Sequence, residues 1–520
     1  MSGEIRDECG VAAVYLKDHV TDGSLVPKNL YPMMFMQQNR GRLSAGITSF
    51  DTPETKTGPL LKEPLICRGE VKDLFCIDNP DRTAEIMEAY SGRAGIGHVR
   101  YATVDVSDDD RSIKNSGQPM FRVHSRPYKE FCFAFNGTIS NYSELRTRLS
   151  EGYRFKTNVD TEVFVDLISL KLKEVSEESG VGKDQKPDMF EVCRAVMPEL
   201  EGSYSGVFLS SAGDLMFFRN PGGEKPLCYS ENDDLLAVAS ESSALEMIGL
   251  KEIKDVLPGS CFIYNGLTLE ERALFPPDPH HCHFEWVYFS KVTSVLDGKS
   301  VYLARRNLGA HLADIDPLKE RIDREKDPEN WVVVPAPFTS IPSAEEYAHE
   351  LGIRRLDAIL KNSDARTFIN SPLLRDALID KGFNIIPEIV RDKKVIFFDD
   401  SIVKGSTILK LIKLIKSCNP KEIHIRSTEP PILFPCYRGV DMAKHSDLIA
   451  NKFPRENLEE GLREYLKVES VMYARLEGVV SSIGLPENHL CLECISGNYR
   501  DESVIRRAKE SLTEWEGKDR

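Results

Sequence analysis

Residues 395 to 407 read Val395-Ile396-Phe397-Phe398-Asp399-Asp400-Ser401-Ile402-Val403-Lys404-Gly405-Ser406-Thr407. The four leading apolar residues, β-branched and aromatic, predict a short strand buried on both faces. Two carboxylates stand where that strand ends. A small loop with Gly405 follows, and from Ser406 and Thr407 a run to Ile415 has helical apolar spacing. Strand, loop and helix of this kind place backbone N–H groups and a helix N-terminus around an anion, most often a phosphate. Asp399 and Asp400 beside that anion suit a ribose diol or hard Mg²⁺. The plainer alternative is an ordinary crossover with a turn rich in Asp, Ser and Gly.

The motif resembles the phosphoribosyl-pyrophosphate (PRPP) signature of type I phosphoribosyltransferases. The resemblance implies that Asp399 and Asp400 meet the ribose hydroxyls and Mg²⁺. It places Ser401, Val403, Lys404, Gly405, Ser406 and Thr407 around the 5′-phosphate. Upstream, Trp331-Val332-Val333-Val334-Pro335-Ala336-Pro337 predicts a second buried strand leading to the place of the pyrophosphate loop. Thr339 and Ser340 keep hydroxyls there, whereas Phe338 and Ile341 replace the usual acidic and basic residues. Lys361 to Ile369 resembles the mobile loop that closes over PRPP, one residue short, with Arg366 and beyond it Arg375 and Lys381 as candidate phosphate contacts.

Near the start, Asp7-Glu8-Cys9-Gly10-Val11-Ala12-Ala13-Val14-Tyr15 puts a cysteine at the head of an apolar strand. Gln38 to Gly46 and Gly97 to Thr103 each carry an arginine beside glycine. Phe135-Asn136-Gly137-Thr138 is a turn after an apolar run, and Asn158 to Glu162 precedes a helix. In this order, with Glu201 to Gly206 and Ala239 to Ser242, they resemble the amino-terminal-nucleophile glutaminase domain of class II glutamine amidotransferases. A thiolate suits attack on an amide, and a free α-amino group on the same residue can be its base. The resemblance therefore implies removal of residues 1–8 as a propeptide. It assigns Asn136 and the Gly137 N–H to the oxyanion, at about 2.7–4 kcal/mol per donor. Arg40, Arg100, Tyr101, Thr103 and Asp160 would bind glutamine, Arg100 gripping the α-carboxylate in a bidentate fork and Asp160 taking the α-ammonium group. Phe135 stands where the family usually has His.

The expected fold is two-domain, α/β and α+β. An N-terminal-nucleophile αββα glutaminase sandwich over 9–262 leads through a Pro-rich linker, 263–290, to a type I phosphoribosyltransferase parallel-sheet domain over 291–470. A tail follows over 471–520, its charged end expected to be a solvated helix. Together the two halves resemble the amidophosphoribosyltransferase family, from residue 9 to about 500. This implies glutamine-dependent amidation of PRPP to phosphoribosylamine at the start of purine synthesis, with purine nucleotides as inhibitors and a homo-oligomer, a tetramer in the family. An amidotransferase with another acceptor, or a non-catalytic nucleotide-binding regulator, are the alternatives.

The net charge of −15 argues against non-specific nucleic-acid binding. No apolar run approaches the ~18 residues of a spanning helix, and the charged start is no secretory signal. A reducing cytoplasmic compartment is expected, so the 12 cysteines need another role than disulfides. Cys491-Leu492-Glu493-Cys494 is a C-x-x-C pair, a pattern shared by zinc, redox and iron–sulfur sites. With Cys282 and Cys436 it falls where the iron–sulfur subclass of the family carries its ligands, which implies a [4Fe–4S] cluster, with zinc as the runner-up. The other cysteines read as core or incidental thiols.

Overall fold

The structure, a computed structural model, describes residues 9–52, 60–101, 110–180, 182, 185–361, 382–440, 442 and 444–516. The propeptide stretch, Thr103, Arg366, Arg375 and Lys381 lie outside them.

The amino-terminal half holds two antiparallel sheets face to face. The first has seven strands, with Gly10–Leu16 at its centre between Ala94–Arg100 and Leu235–Ala239. The second has six, centred on Phe131–Ile139, Gly202–Ser210 and Leu215–Arg219. Alternation along Gly10–Leu16 explains the layering. Val11, Ala13 and Tyr15 point into the space between the sheets with Ala134, Val207 and Phe217, while Ala12, Val14 and Leu16 point outward. The helix Leu25–Met36 covers that outer face, and Asp160–Glu178 and Met189–Val196 cover the other sheet. Four layers result, helix–sheet–sheet–helix. The last strand, Leu269–Ala273, pairs with Ser260–Tyr264, so the sandwich runs past residue 262, where the sequence reading ended it.

The second half is built on a parallel five-stranded sheet ordered Arg354–Arg355, Trp331–Pro335, Lys394–Asp399, Glu422–Ser427, Ser470–Tyr473. Val332, Val334, Val395 and Phe397 face one core; Trp331, Val333, Ile396 and Phe398 face the other. Burial on both faces is why these strands read as unbroken apolar runs. The helix Ser406–Lys416 seats Ile408, Leu411, Ile412 and Ile415 in the first core, about 1.5–3 kcal/mol for each side chain. Ser470–Tyr473 being a sheet strand, this unit also extends beyond residue 470.

Three buried arginines join the halves. Arg40 pairs with Glu285 at 2.6 Å, Arg219 with Asp297 at 2.6 Å, and Arg438 with Glu224 at 3.0 Å and Glu493 at 2.8 Å. The carboxyl-terminal helix Glu502–Glu516 is less solvated than its charge predicts. Val504 is buried, Trp515 stacks on His445 and Arg506 reaches Glu144. No helix among the described residues is long and apolar enough to cross a membrane.

Candidate active sites

Cys9 sits immediately before the central strand of the first sheet, and its thiol points at Tyr101 O, 3.7 Å away. Cross-strand pairing of Gly10 with Val99 places Arg100 beside it. Asn136 and Gly137 come from the facing sheet. Asn136 is wholly buried, and neither polar atom of its side chain has a hydrogen-bond partner. An orphaned buried amide costs about 1–3 kcal/mol, and the described residues leave the donor capacity of Asn136 unused. Gly137 has φ 140, and a Cβ there would meet Ser203 O at 1.9 Å, which leaves glycine as the fitting residue.

Asp160 begins the helix Asp160–Glu178. Its Oδ2 accepts from Ile139 N at 3.1 Å and Thr138 Oγ1 at 3.3 Å, which ties it to the strand carrying Asn136. Burial raises its pKa, opposed by the Ile139 N–H and the charge of Arg100. Arg100, pushed down by burial, is held up by the charges of Cys9 and Asp160. Its Nη1 donates to Ser116 Oγ at 2.8 Å. The structure thus brings Cys9, Arg100, Tyr101, Asn136, Gly137 and Asp160 to one place.

Arg40, expected to bind glutamine, is fully buried, salt-bridged to Glu241 at 3.0 Å and Glu285 at 2.6 Å, and its Nε donates to Cys9 O at 3.0 Å. Two buried carboxylates meet its fork while it holds the main chain of Cys9. An arginine beside glycine in a turn resembles a ligand; only Glu241 and Glu285, far along the chain, settle its partners.

In the second half, Asp399 ends the strand Lys394–Asp399, and Asp400 follows, 5% exposed. Asp400 O accepts from Glu429 N at 2.9 Å, which fixes the turn. Burial raises the Asp400 carboxyl to about 6, against the hydroxyl of Thr339, which donates to it, and the charge of Arg305. Gly405 caps the helix Ser406–Lys416 with φ 76, and a Cβ there would meet Ile449 Cδ1 at 2.2 Å. Ser406 Oγ is buried with no hydrogen-bond partner at that helix N-terminus, while Ser401, Lys404 and Thr407 line the same turn. Val403 contributes main chain, its side chain being buried and its carbonyl accepting from Ile449 N at 2.8 Å.

Ser340, expected with Thr339 to cradle pyrophosphate through hydroxyl and backbone N–H groups, is buried, and its hydroxyl donates to Ala336 O at 2.5 Å. Phe338, by contrast, is 68% exposed.

The four singled-out cysteines converge. Parallel pairing of His281–Cys282 with Leu490–Cys491 sets Cys282 against Cys491 in register. Leu433 N and Phe434 N donate to Cys494 O at 3.1 and 3.0 Å, drawing the Cys436 segment in. Arg438 N donates to Cys436 Sγ at 3.3 Å. Val403, Ile432, Val440 and Met442 form an apolar wall around Cys282, Cys436 and Cys494. Burial raises the thiol pKa of Cys436, Cys491 and Cys494. Among the described residues no three His, Cys, Asp or Glu side chains are set to hold a metal ion.

Sequence reasoning gave no role to Arg305, Glu241 or Glu285. For Arg305 a signal existed, since it shares a helical face with Val301, Leu308 and Leu312, where a cation is out of place.

The chain matches a family model described as a glutamine amidotransferase domain over residues 106–247, and one described as a phosphoribosyl transferase domain over 306–428. It is 35% identical to an amidophosphoribosyltransferase of Methanothermobacter thermautotrophicus, over 95% of each chain. It is 33% identical to one of Archaeoglobus fulgidus, over 94% of this chain and 97% of the other. Among solved structures it resembles the glutamine PRPP amidotransferase of B. subtilis complexed with ADP and GMP, with a TM-score of 0.77 and 26% identity over 95% of this chain and 98% of the other. With both half-sites present and the likeness spanning nearly the whole length, the chain belongs to the amidophosphoribosyltransferase family.

Proposed function

We propose that the chain hydrolyses glutamine at Cys9 and passes the ammonia to C1 of PRPP, forming 5-phosphoribosylamine, glutamate and pyrophosphate at the start of purine synthesis. The observation that carries this reading is the pair of half-sites in one chain, joined through the buried contact of Arg40 with both Cys9 O and Glu285.

Removal of residues 1–8 would free the α-amino group of Cys9, which takes the thiol proton as the sulfur attacks the glutamine amide. Asn136 Nδ2 and Gly137 N–H receive the developing oxyanion. The α-amino group returns the thiol proton to the amide nitrogen, which leaves as ammonia, and water then hydrolyses the resulting thioester to glutamate. Arg100 holds the substrate α-carboxylate, and Asp160 its ammonium group, with Tyr101 and Thr103 shaping the pocket. At the second site the turn from Ser401 to Thr407 orients the 5′-phosphate at the helix N-terminus. Asp399 and Asp400 hold the ribose hydroxyls, while Thr339 lies beside Asp400 and Arg366 serves the pyrophosphate. Ammonia attacks C1 as the bond to pyrophosphate breaks, and a proton leaves the new amine.

Asp399 and Asp400 also suit Mg²⁺, which when bound offsets the charge of the pyrophosphate. Cys282, Cys436, Cys491 and Cys494 fit a structural [4Fe–4S] cluster. Cys282, Cys436 and Cys494 share one apolar pocket, Cys491 pairs in register beside Cys282, and an N–H is aimed at Cys436 Sγ, which supports the cluster reading, with zinc as the alternative. The nucleotides in the B. subtilis structure support purine nucleotides as inhibitors of this chain. A cytoplasmic homo-oligomer completes the reading.

The test is pyrophosphate release from PRPP and Mg²⁺ under anaerobic conditions, with glutamine or with ammonia. Release with both, and loss of the glutamine reaction alone in Cys9→Ala, is the expected result. Glutamine hydrolysis without pyrophosphate release from either nitrogen source would overturn it and point to another acceptor.

A further inference from the structure

Arg305 lies in the helix Val301–Ile315 and is 2% exposed, yet it forms no ion pair among the described residues. Its fork donates instead to three carbonyls of a single turn. Nε reaches Trp286 O at 2.9 Å, and Nη2 reaches Tyr288 O at 3.0 Å and Ser290 O at 2.8 Å. The side chains of that turn hold Arg40, with Glu285 at 2.6 Å and Ser290 Oγ at 3.4 Å. Arg40 in turn donates to Cys9 O at 3.0 Å. An arginine on a helix of the phosphoribosyl half therefore stands three contacts from the main chain of the nucleophile.

Burial draws the Arg305 pKa down to about 10, opposed by the charges of Asp400, Glu241 and Glu285. A buried guanidinium without a salt-bridge partner is costly. An apolar side chain would fill this helix face more cheaply, so packing alone does not account for Arg305. Its rigid five-donor fork is what a turn with three carbonyls facing one way requires.

We propose that Arg305 is a positioning residue for the glutamine site. Its fork sets the Glu285–Ser290 turn that orients Arg40 and Cys9. The proposal rests on the two-site reading above.

The test compares full-length wild type with Arg305→Lys, Arg305→Met and Glu285→Gln, each assayed with glutamine and with ammonia. Lysine keeps the charge but cannot span three carbonyls. Arg305→Lys is expected to lower the glutamine-dependent kcat about tenfold and leave the ammonia-dependent rate within about twofold of wild type. Glu285→Gln, which loosens Arg40 from the far side, is expected to show the same split. Arg305→Met, losing every donor, is expected to lower the glutamine-dependent kcat further than Arg305→Lys, again with the ammonia-dependent rate within about twofold of wild type. A merely structural role would lower both reactions together. Equal losses of the two reactions in Arg305→Lys, or a glutamine-dependent kcat in Arg305→Met no lower than in Arg305→Lys, would overturn the proposal. Should Arg305→Met not fold, the comparison of Arg305→Lys with Glu285→Gln decides, an unchanged glutamine kcat in Glu285→Gln counting against it. Wild type that releases no pyrophosphate with ammonia would sink the two-site reading instead, and the proposal with it.

Discussion

Gly405→Ala is the most direct probe of the phosphate turn. Gly405 occupies the left-handed region at φ 76, and a Cβ there would lie 2.2 Å from Ile449 Cδ1. An alanine in that conformation costs about 1–2 kcal/mol, and forcing a methyl into a filled site costs about 1–3 kcal/mol more. Ile449 Cδ1 is the far end of a flexible side chain, so the lower end of that sum applies, about 2 kcal/mol. If the loop relieves this by leaving its phosphate-binding shape, PRPP binding weakens about thirtyfold. The assay is ammonia-dependent pyrophosphate release across a PRPP titration, with glutamine hydrolysis as the control. The expected result is a PRPP KM raised about thirtyfold while glutamine hydrolysis by Cys9 is intact. Gly405→Asn separates the causes, since asparagine tolerates the left-handed region but keeps the clash. A PRPP KM unchanged in Gly405→Ala would refute the reasoning, because the turn would then not be the phosphate cradle.

Asn136→Ala should lower the glutamine-dependent kcat about 10²–10³-fold with the ammonia reaction retained; a change confined to glutamine KM would contradict an oxyanion role. Anaerobically purified protein should contain iron and acid-labile sulfide, both lost in Cys494→Ser, and zinc without sulfide would sink the cluster. Buried His98, meeting Phe135 O through Nε2 at 3.2 Å, has its pKa drawn down to about 3 by burial. The unfolded chain then takes up a proton first as pH falls below about 6.5, so folded stability declines from there toward pH 3 by up to about 1.4 kcal/mol per unit. Urea midpoints at pH 7 and pH 5 should differ less in His98→Gln than in wild type; an equal difference would show that His98 does not set the slope.

Legibility in the sequence tracked how local each feature is. The turn from Asp399 to Thr407 was readable because strand, loop and cap are contiguous, and Gly405 adopts the conformation that only a residue without Cβ takes cheaply. The helix from Ser406 was equally plain from the spacing of Ile408, Leu411, Ile412 and Ile415. Nothing around Ser340 in the sequence shows that Ala336 O would take its hydroxyl. The carboxyl-terminal helix was read as solvated from its charge, yet Trp515 finds His445 only when the chain is folded.

The sequence by itself determined the local chemistry of this protein: an apolar strand behind Cys9, an amide–glycine pair at Asn136 and Gly137, and two acids ahead of a phosphate-binding turn. Each rests on backbone preferences and side-chain types within a dozen residues. Only the tertiary structure decided what the buried arginines do. Arg40 finds Glu285 across 245 residues, and Arg438 finds Glu224 and Glu493 on two other segments. A guanidinium out of water takes whichever carboxylates and carbonyls the packed sheets bring within reach, and that choice depends on the fold as a whole.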